Sequence, residues 1–152
     1  MTRASQPEWI RHVGKVSATL QLYCARISGK ELTEALGVQP TLAQTAHERA
    51  AFGPCGLTGA EDYTLWSYDT STKVTAADVN EHLRHLLGVF LPIRSRIEEL
   101  RPSPRILVCV YWESTMAGVA GPQIDAECIS GLASLGASLH IKVAKIDKVG
   151  DS

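Results

Sequence analysis

Two histidines three residues apart, His82 and His85, are the side chains that most resemble a metal-binding pair in this sequence. On a helix they would share one face, from which two imidazoles can hold a transition metal. No third ligand stands at a metal-binding spacing from them, and Glu81-His82-Leu83-Arg84-His85 lacks the order of a zinc-protease helix. Asp78 and Glu81 each precede one histidine by four residues, which is typical of surface pairing. We therefore predict no metal and no cofactor. His82 should lie at the edge of the apolar stripe and His85 further round the helix, so we expect neither to be buried.

A candidate nucleophile is Cys55, which lies in the loop sequence Gly53-Pro54-Cys55-Gly56. Loops of this kind carry reactive thiols, and His47 is the nearest base in the sequence. Turn formation alone, however, accounts for the glycines and the proline. The sequence therefore favours a plain surface turn and keeps the thiol as an alternative.

Adjacent acids and missing signatures argue against catalysis. Glu61 and Asp62, like Glu98 and Glu99, are neighbours whose side chains diverge in regular structure, whereas acid–base chemistry needs carboxylates that converge. The sequence contains no dinucleotide-binding glycine pattern, no phosphate-binding loop and no nucleophile elbow. We predict no catalytic residues, and the sequence favours a non-enzymatic protein over an enzyme.

Aromatic residues are the strongest sign of a binding surface. Trp66, Tyr68, Tyr111 and Trp112 lie in two predicted strands. Alternation sends strand side chains to both faces, so half of these rings should be core and the rest would form a rigid surface for a protein or ligand. The candidate binding residues are Trp66, Tyr68, Tyr111, Trp112, His47, Cys55 and Glu113.

Length and composition indicate one self-sufficient domain. The 152 residues are 45% apolar and 20% charged, which is ordinary for a globular protein. A net charge of -1 disfavours nucleic acid and anionic membranes as partners. Residues 1–12 lack the apolar segment of a secretory signal, and no stretch approaches a membrane span. We expect a cytoplasmic protein without membrane contact, whose four scattered cysteines are free thiols.

Apolar alternation predicts strands over residues 16–24, 63–68, 105–113 and 139–143. The third should lie mid-sheet because it is apolar on both sides. Residues 38–62 read as a long excursion in which only residues 47–52 resemble a strand.

Capping residues and helical spacing predict three helices. Ser28 and Glu31 form a capping box for the first helix, which ends at Gly37. The second begins with a similar box at Thr75 and continues to Leu100, with a kink or break at Pro92. Asp125 should cap the third. The residues expected to point inward from this last helix are Cys128, Ile129, Leu132 and Leu135.

The order of these elements predicts an α+β fold. A ferredoxin-like split βαβ sandwich fits it best, with a mostly antiparallel sheet, helices on one face, and an extension by a C-terminal helix and strand. We place a single domain at residues 15–147, a loose N-terminal extension at 1–14 and a tail at 148–152.

Five segments follow one another over about residues 16–143: V-S-A-T-L, L-W-S-Y, Y-W-E, A-G-P-Q-I-D and L-A-S-L-G-A-S-L-H-I. In these segments and their order the chain resembles a bacterial family known as domain of unknown function 4279. The most specific pieces of this resemblance are Tyr111-Trp112, Gly121-Pro122 and Leu135-Gly136. The resemblance implies no activity, because that family carries no assigned catalytic residues.

Three hypotheses follow for function. The first is a non-catalytic protein-binding module of the immunity or accessory type. The second is a small-molecule binder or small enzyme with a pocket under residues 38–62, using His47, Cys55 or Glu113. The third is a homodimer joined through the exposed edge strand at the C-terminus.

Overall fold

The computed structural model describes residues 12–45, 63–115 and 121–149. In chain order the elements are β1 (Val13–Ala25), α1 (Gly29–Leu36), β2 (Leu42–Thr45), β3 (Tyr63–Asp69), α2 (Val79–Phe90), a 3-10 turn (Leu91–Ile93), α3 (Arg94–Glu98), β4 (Arg105–Ser114), α4 (Ala126–Leu135) and β5 (Ser138–Lys145).

The five strands form one sheet in the order β2-β3-β1-β4-β5. Neighbouring strands are antiparallel except β4 and β5, which are parallel. Since β1 and β2 both run against β3, they share a direction and β3 separates them. The predicted α+β fold with a mostly antiparallel sheet, extended by a helix and a strand, is confirmed.

The helices lie on one face of this sheet. Alternate residues of β1, β3 and β4 meet the buried stripes of α1, α2 and α4 there, because strand side chains alternate with period two. The buried strand residues of this main core are Ala18, Leu20, Leu22, Cys24, Trp66, Tyr68, Val108 and Val110. A smaller cluster, Tyr23, Leu65 and Leu107, occupies the opposite face.

Local chemistry fixes the helix ends, with two changes from the prediction. Ser28 Oγ accepts a hydrogen bond from the amide of Glu31, but the Glu31 carboxylate accepts from the Ser28 hydroxyl rather than from its amide. Gly37 ends α1 with φ +70°, as predicted. The second helix begins later than predicted, since Asp78 is the residue whose carboxylate caps it, at 2.9 Å from the amide of Asn80.

The long helix breaks where Pro92 predicts. Helix α2 ends at Phe90, one turn of 3-10 helix carries the proline, and the chain then resumes as α3. Proline lacks the amide that would continue the α-helical ladder.

Strand boundaries differ from the sequence prediction at two places. Strand β1 begins at Val13, three residues earlier than predicted, and β2 occupies Leu42–Thr45, where no strand was predicted. Pairing with β3 supplies the backbone partners of β2, so the tertiary neighbour overrides a weak local pattern. The strand-like segment 47–52 lies outside the described residues.

Candidate functional site

Three of the aromatic candidates belong to the interior of the helix-covered face. Trp66 is fully buried, and its indole N–H donates to Thr33 Oγ1 at 3.1 Å. Tyr68 and Trp112 are almost as buried. Phe90 meets the rings of Trp66 and Tyr68 edge-on, at centroid distances of 5.9 and 5.3 Å. These rings chiefly build the core.

Tyr68 also forms a polar pair at the rim of the core. Its hydroxyl lies 2.9 Å from His85 Nε2, and Lys73 Nζ lies 4.6 Å from the ring centroid. Burial raises the pKa of the Tyr68 phenol above its ordinary 10.0, so the phenol is protonated at neutral pH. The hydrogen bond between the Tyr68 hydroxyl and His85 holds the Tyr68 ring in place.

The remaining candidates lie elsewhere. Tyr111 and Glu113 point to the opposite face from Trp112, because they alternate with it along β4. Tyr111 is half-buried, carries Lys142 Nζ at 5.9 Å from its ring, and helps to line a cavity of about 500 Å³. Glu113 is nearly buried. The structure does not bring the candidates into one site, and His47 and Cys55 lie outside the described residues.

The expectation that His82 is not buried is wrong. The residue is fully buried, with Nδ1 2.6 Å from Thr70 Oγ1 and Nε2 2.8 Å from the carbonyl oxygen of Ala76. The carbonyl of Ala76 can only accept, so Nε2 carries a proton and donates it there, while Thr70 Oγ1 also accepts from the amide of Ala18. Both ring nitrogens therefore have a hydrogen-bond partner. Among the described residues no three metal-binding side chains come together.

The outer edge of β5 has no neighbouring strand among the described residues. The amide of Ile146 donates to the carbonyl of Ser114 at 2.9 Å, so even-numbered residues here direct their backbone toward β4. Because the two sides of a strand alternate, the N–H and C=O groups of Leu139, Ile141 and Val143 point away from the sheet. No described strand pairs with them.

The same three residues also expose apolar side chains. Leu139, Ile141 and Val143 are 36%, 40% and 54% exposed, and they share the helix side of the sheet with their β4 partners. Most strand residues have either a buried side chain or backbone groups paired with a neighbouring strand. These three residues have exposed side chains, and no described strand pairs with their outward backbone groups. A partner strand could therefore form main-chain hydrogen bonds and apolar contacts at the same residues.

Ile129 of α4 is a further exposed apolar residue. A Cβ at Gly131 would lie 2.6 Å from Leu87 Cδ1, so that flank of α4 faces α2, and Ile129 lies on the opposite flank with 54% of its area exposed. The prediction that Ile129 points inward with Cys128 is therefore wrong. We call Ile129, Leu139, Ile141 and Val143 the edge patch; they are four of the six large apolar residues exposed in the described ranges.

A groove of about 560 Å³ lies between α1 and residues 39–44. Lys30, Thr33, Glu34 and Gln39 are among its polar lining residues. It is the described space nearest to the pocket predicted under residues 38–62, and it is large enough for a small molecule.

None of the helices seen in the described ranges has the length and apolarity needed to cross a bilayer.

The fold is that of a small α+β sandwich domain, and in the described part of the chain one side of β5 has no neighbouring strand. Over residues 14–144 the chain matches the model of the family described as Domain of unknown function (DUF4279), and it belongs to that family. The resemblance inferred from the sequence is thereby confirmed. No curated protein and no solved structure matches the chain, and the ferredoxin-like name stays a prediction.

Proposed function

We propose that this protein is a non-catalytic protein-binding module, of the accessory or immunity type, that holds its partner at the edge patch. The observation that carries the proposal is the coincidence of outward backbone groups and exposed apolar side chains at Leu139, Ile141 and Val143. A partner strand would gain main-chain hydrogen bonds and bury apolar area at the same residues.

The experiment is affinity purification from the native cell with a matched pair of variants. Ile141→Lys places an ammonium on the edge patch, whereas Leu42→Lys does the same to an exposed leucine on the opposite edge strand, β2. We expect a stoichiometric protein, either a different chain or an untagged copy of this one, to accompany the wild-type and Leu42→Lys chains and to be lost with Ile141→Lys. A partner that survives Ile141→Lys and leaves with Leu42→Lys would refute the edge patch as the docking surface.

A second candidate function is small-molecule binding in the groove between α1 and residues 39–44, which its volume of about 560 Å³ favours. Its lining combines the Lys30 ammonium and the Glu34 carboxylate with amide groups, which suits a small polar ligand. Screening metabolites by thermal shift should find a compound that stabilises the wild-type chain and not the Lys30→Ala variant. Equal shifts in both chains would place the ligand elsewhere.

A further inference from the structure

We infer that the partner at the edge patch is a second copy of this chain, joined by antiparallel pairing of the two β5 strands about a two-fold axis through Ile141. This inference rests on the proposed binding role of the patch and names its occupant. The pairing of the two β5 strands would join the five-stranded sheets of the two copies into one continuous sheet.

The backbone of β5 permits such pairing. Two identical edges related by a closed two-fold axis must run antiparallel. In an antiparallel ladder, opposed residues whose groups point across the gap exchange both hydrogen bonds. In β5 these are Leu139, Ile141 and Val143, so odd-numbered residues must face odd-numbered residues. This leaves three registers near the middle of the strand, centred on His140, Ile141 or Lys142.

Charge repulsion and the number of paired residues distinguish the three registers. The register centred on Lys142 sets that ammonium directly opposite its own copy, which is destabilising. The register centred on His140 pairs only residues 138–142 of a strand that runs from 138 to 145. The register centred on Ile141 pairs residues 138–144 and sets no lysine opposite a lysine, because Lys142 faces His140 and Lys145 faces Ala137.

Side-chain chemistry fits the same register. On the helix side Ile141 faces its own copy and Leu139 faces Val143 of the partner subunit, so the apolar strip is continuous across the axis. Such cross-strand apolar pairs stabilise a sheet by about 0.2–1 kcal/mol each. Ile129, on the flank of α4 away from α2, is a further exposed apolar side chain in each copy. The edge is thus complementary to itself without any residue from another protein.

Sedimentation equilibrium of the purified full chain, from about 1 to about 200 µM, tests the association. We expect a reversible dimer for the wild-type chain and for Leu42→Lys, and a monomer for Ile141→Lys. Circular dichroism of the two variants checks that both fold. A wild-type chain that stays monomeric throughout would overturn the inference, while loss of a different protein from Ile141→Lys in the native-cell purification would leave the proposed function standing.

Cysteine pairing tests the register. His140 and Lys142 of opposite copies would form a non-hydrogen-bonded pair, with Cα atoms about 4.5 Å apart, which is within the range of a disulfide. The experiment uses a background in which Cys109→Ser and Cys55→Ser are combined, because Cys109 neighbours His140 across β4 and β5 and Cys55 is the candidate reactive thiol of the sequence. A mixture of His140→Cys and Lys142→Cys chains should oxidise to a cross-linked dimer, and neither variant should do so alone. Cross-linking of Lys142→Cys or His140→Cys alone would overturn the Ile141 register.

Discussion

The hydroxyl of Thr70 shows how one side chain can settle the position of another. It accepts from the amide of Ala18 at 3.0 Å and lies 2.6 Å from His82 Nδ1, within a part of the core where water is excluded. A buried polar group without a partner costs about 1–3 kcal/mol, so this one hydroxyl satisfies two groups that would otherwise oppose folding.

We predict that Thr70→Val lowers the free energy of unfolding by about 2–4 kcal/mol, because valine keeps the shape and leaves the Ala18 amide and His82 Nδ1 unpaired. Urea denaturation measures the loss. Thr72→Val, an exposed threonine in the same turn, is the control and should change stability by less than about 0.5 kcal/mol. Equal losses in the two variants would mean that the hydrogen bonds of Thr70 do not stabilise the fold.

Burial also sets the chemistry of Cys24, whose thiol pKa it raises from 9.0 to about 12. The protonated thiol contributes fully to the free energy of unfolding below pH 9.0. This contribution is lost as the pH rises toward 12, because the thiol ionises at a lower pH in the unfolded chain than in the folded protein. We predict that between about pH 9 and about pH 11 the unfolding free energy of the wild-type chain falls more steeply than that of Cys24→Ala. Urea denaturation across this range measures both slopes. Parallel slopes would show that the folded thiol ionises as readily as the unfolded one.

At the residue scale, the sequence predicts the role of a side chain only where its spacing from neighbouring residues is enough to determine that role. Ser28 and Gly37 are predictable because a helix end needs an oxygen acceptor and a left-handed residue at fixed positions. The burial of His82 depends on Thr70 and Ala76, which helical spacing does not place. Ile129 has helical spacing compatible with the core, but the close approach of Gly131 to Leu87 rotates α4 and turns Ile129 outward.

Among the elements, Asn80 ties the start of α2 to the start of α4. Its side-chain nitrogen Nδ2 donates to the carbonyl oxygen of Gln123 at 2.9 Å, and its side-chain oxygen Oδ1 accepts from the backbone amide of Asp125 at 2.8 Å. The side chain is 5% exposed. Nearby, Arg84 and Asp125 form an ion pair at 2.7 Å, but both side chains are about half exposed.

We predict that Asn80→Ala costs about 2–3 kcal/mol of stability and that Arg84→Ala costs at most about 1 kcal/mol, since water screens the ion pair and cannot replace the buried amide. Urea denaturation compares the two variants. Amide hydrogen exchange at Asp125 should accelerate strongly in Asn80→Ala and little in Arg84→Ala. The reverse order would make the ion pair, and not the amide, the link between α2 and α4.

Strong periodicity makes most elements predictable, whereas β2 depends on its neighbour. Strands β3 and β4 and the break at Pro92 appear where alternation and proline place them. The four residues of β2 are too few to show a period. They form a strand because they pair with β3, which is distant in the sequence, and a local pattern cannot reveal such a partner. The same limit applies to the Asn80 link, whose partners lie more than forty residues away in sequence.

For the whole molecule, the described sheet has its helices on one face and ends at β5, whose outer side no described strand covers. The sequence predicts a C-terminal edge strand and offers a dimer through it as the third of three hypotheses, but the backbone direction of Leu139, Ile141 and Val143 emerges only from their pairing with β4. Lys142 and Lys145 border this edge, as lysines often do where random strand pairing must be avoided. The Ile141 register is the pairing that keeps these charges apart.

A dimer that separates on unfolding must become more stable as the protein concentration rises, because mass action favours the associated state. We predict that the thermal unfolding midpoint of the wild-type chain increases between about 2 and about 200 µM, whereas that of Ile141→Lys stays constant. Differential scanning calorimetry at both concentrations measures the two midpoints, and Leu42→Lys should behave as the wild-type chain does. An equal increase in Ile141→Lys would place the association on a surface other than the edge patch, since a buried lysine at the two-fold axis would disrupt pairing there.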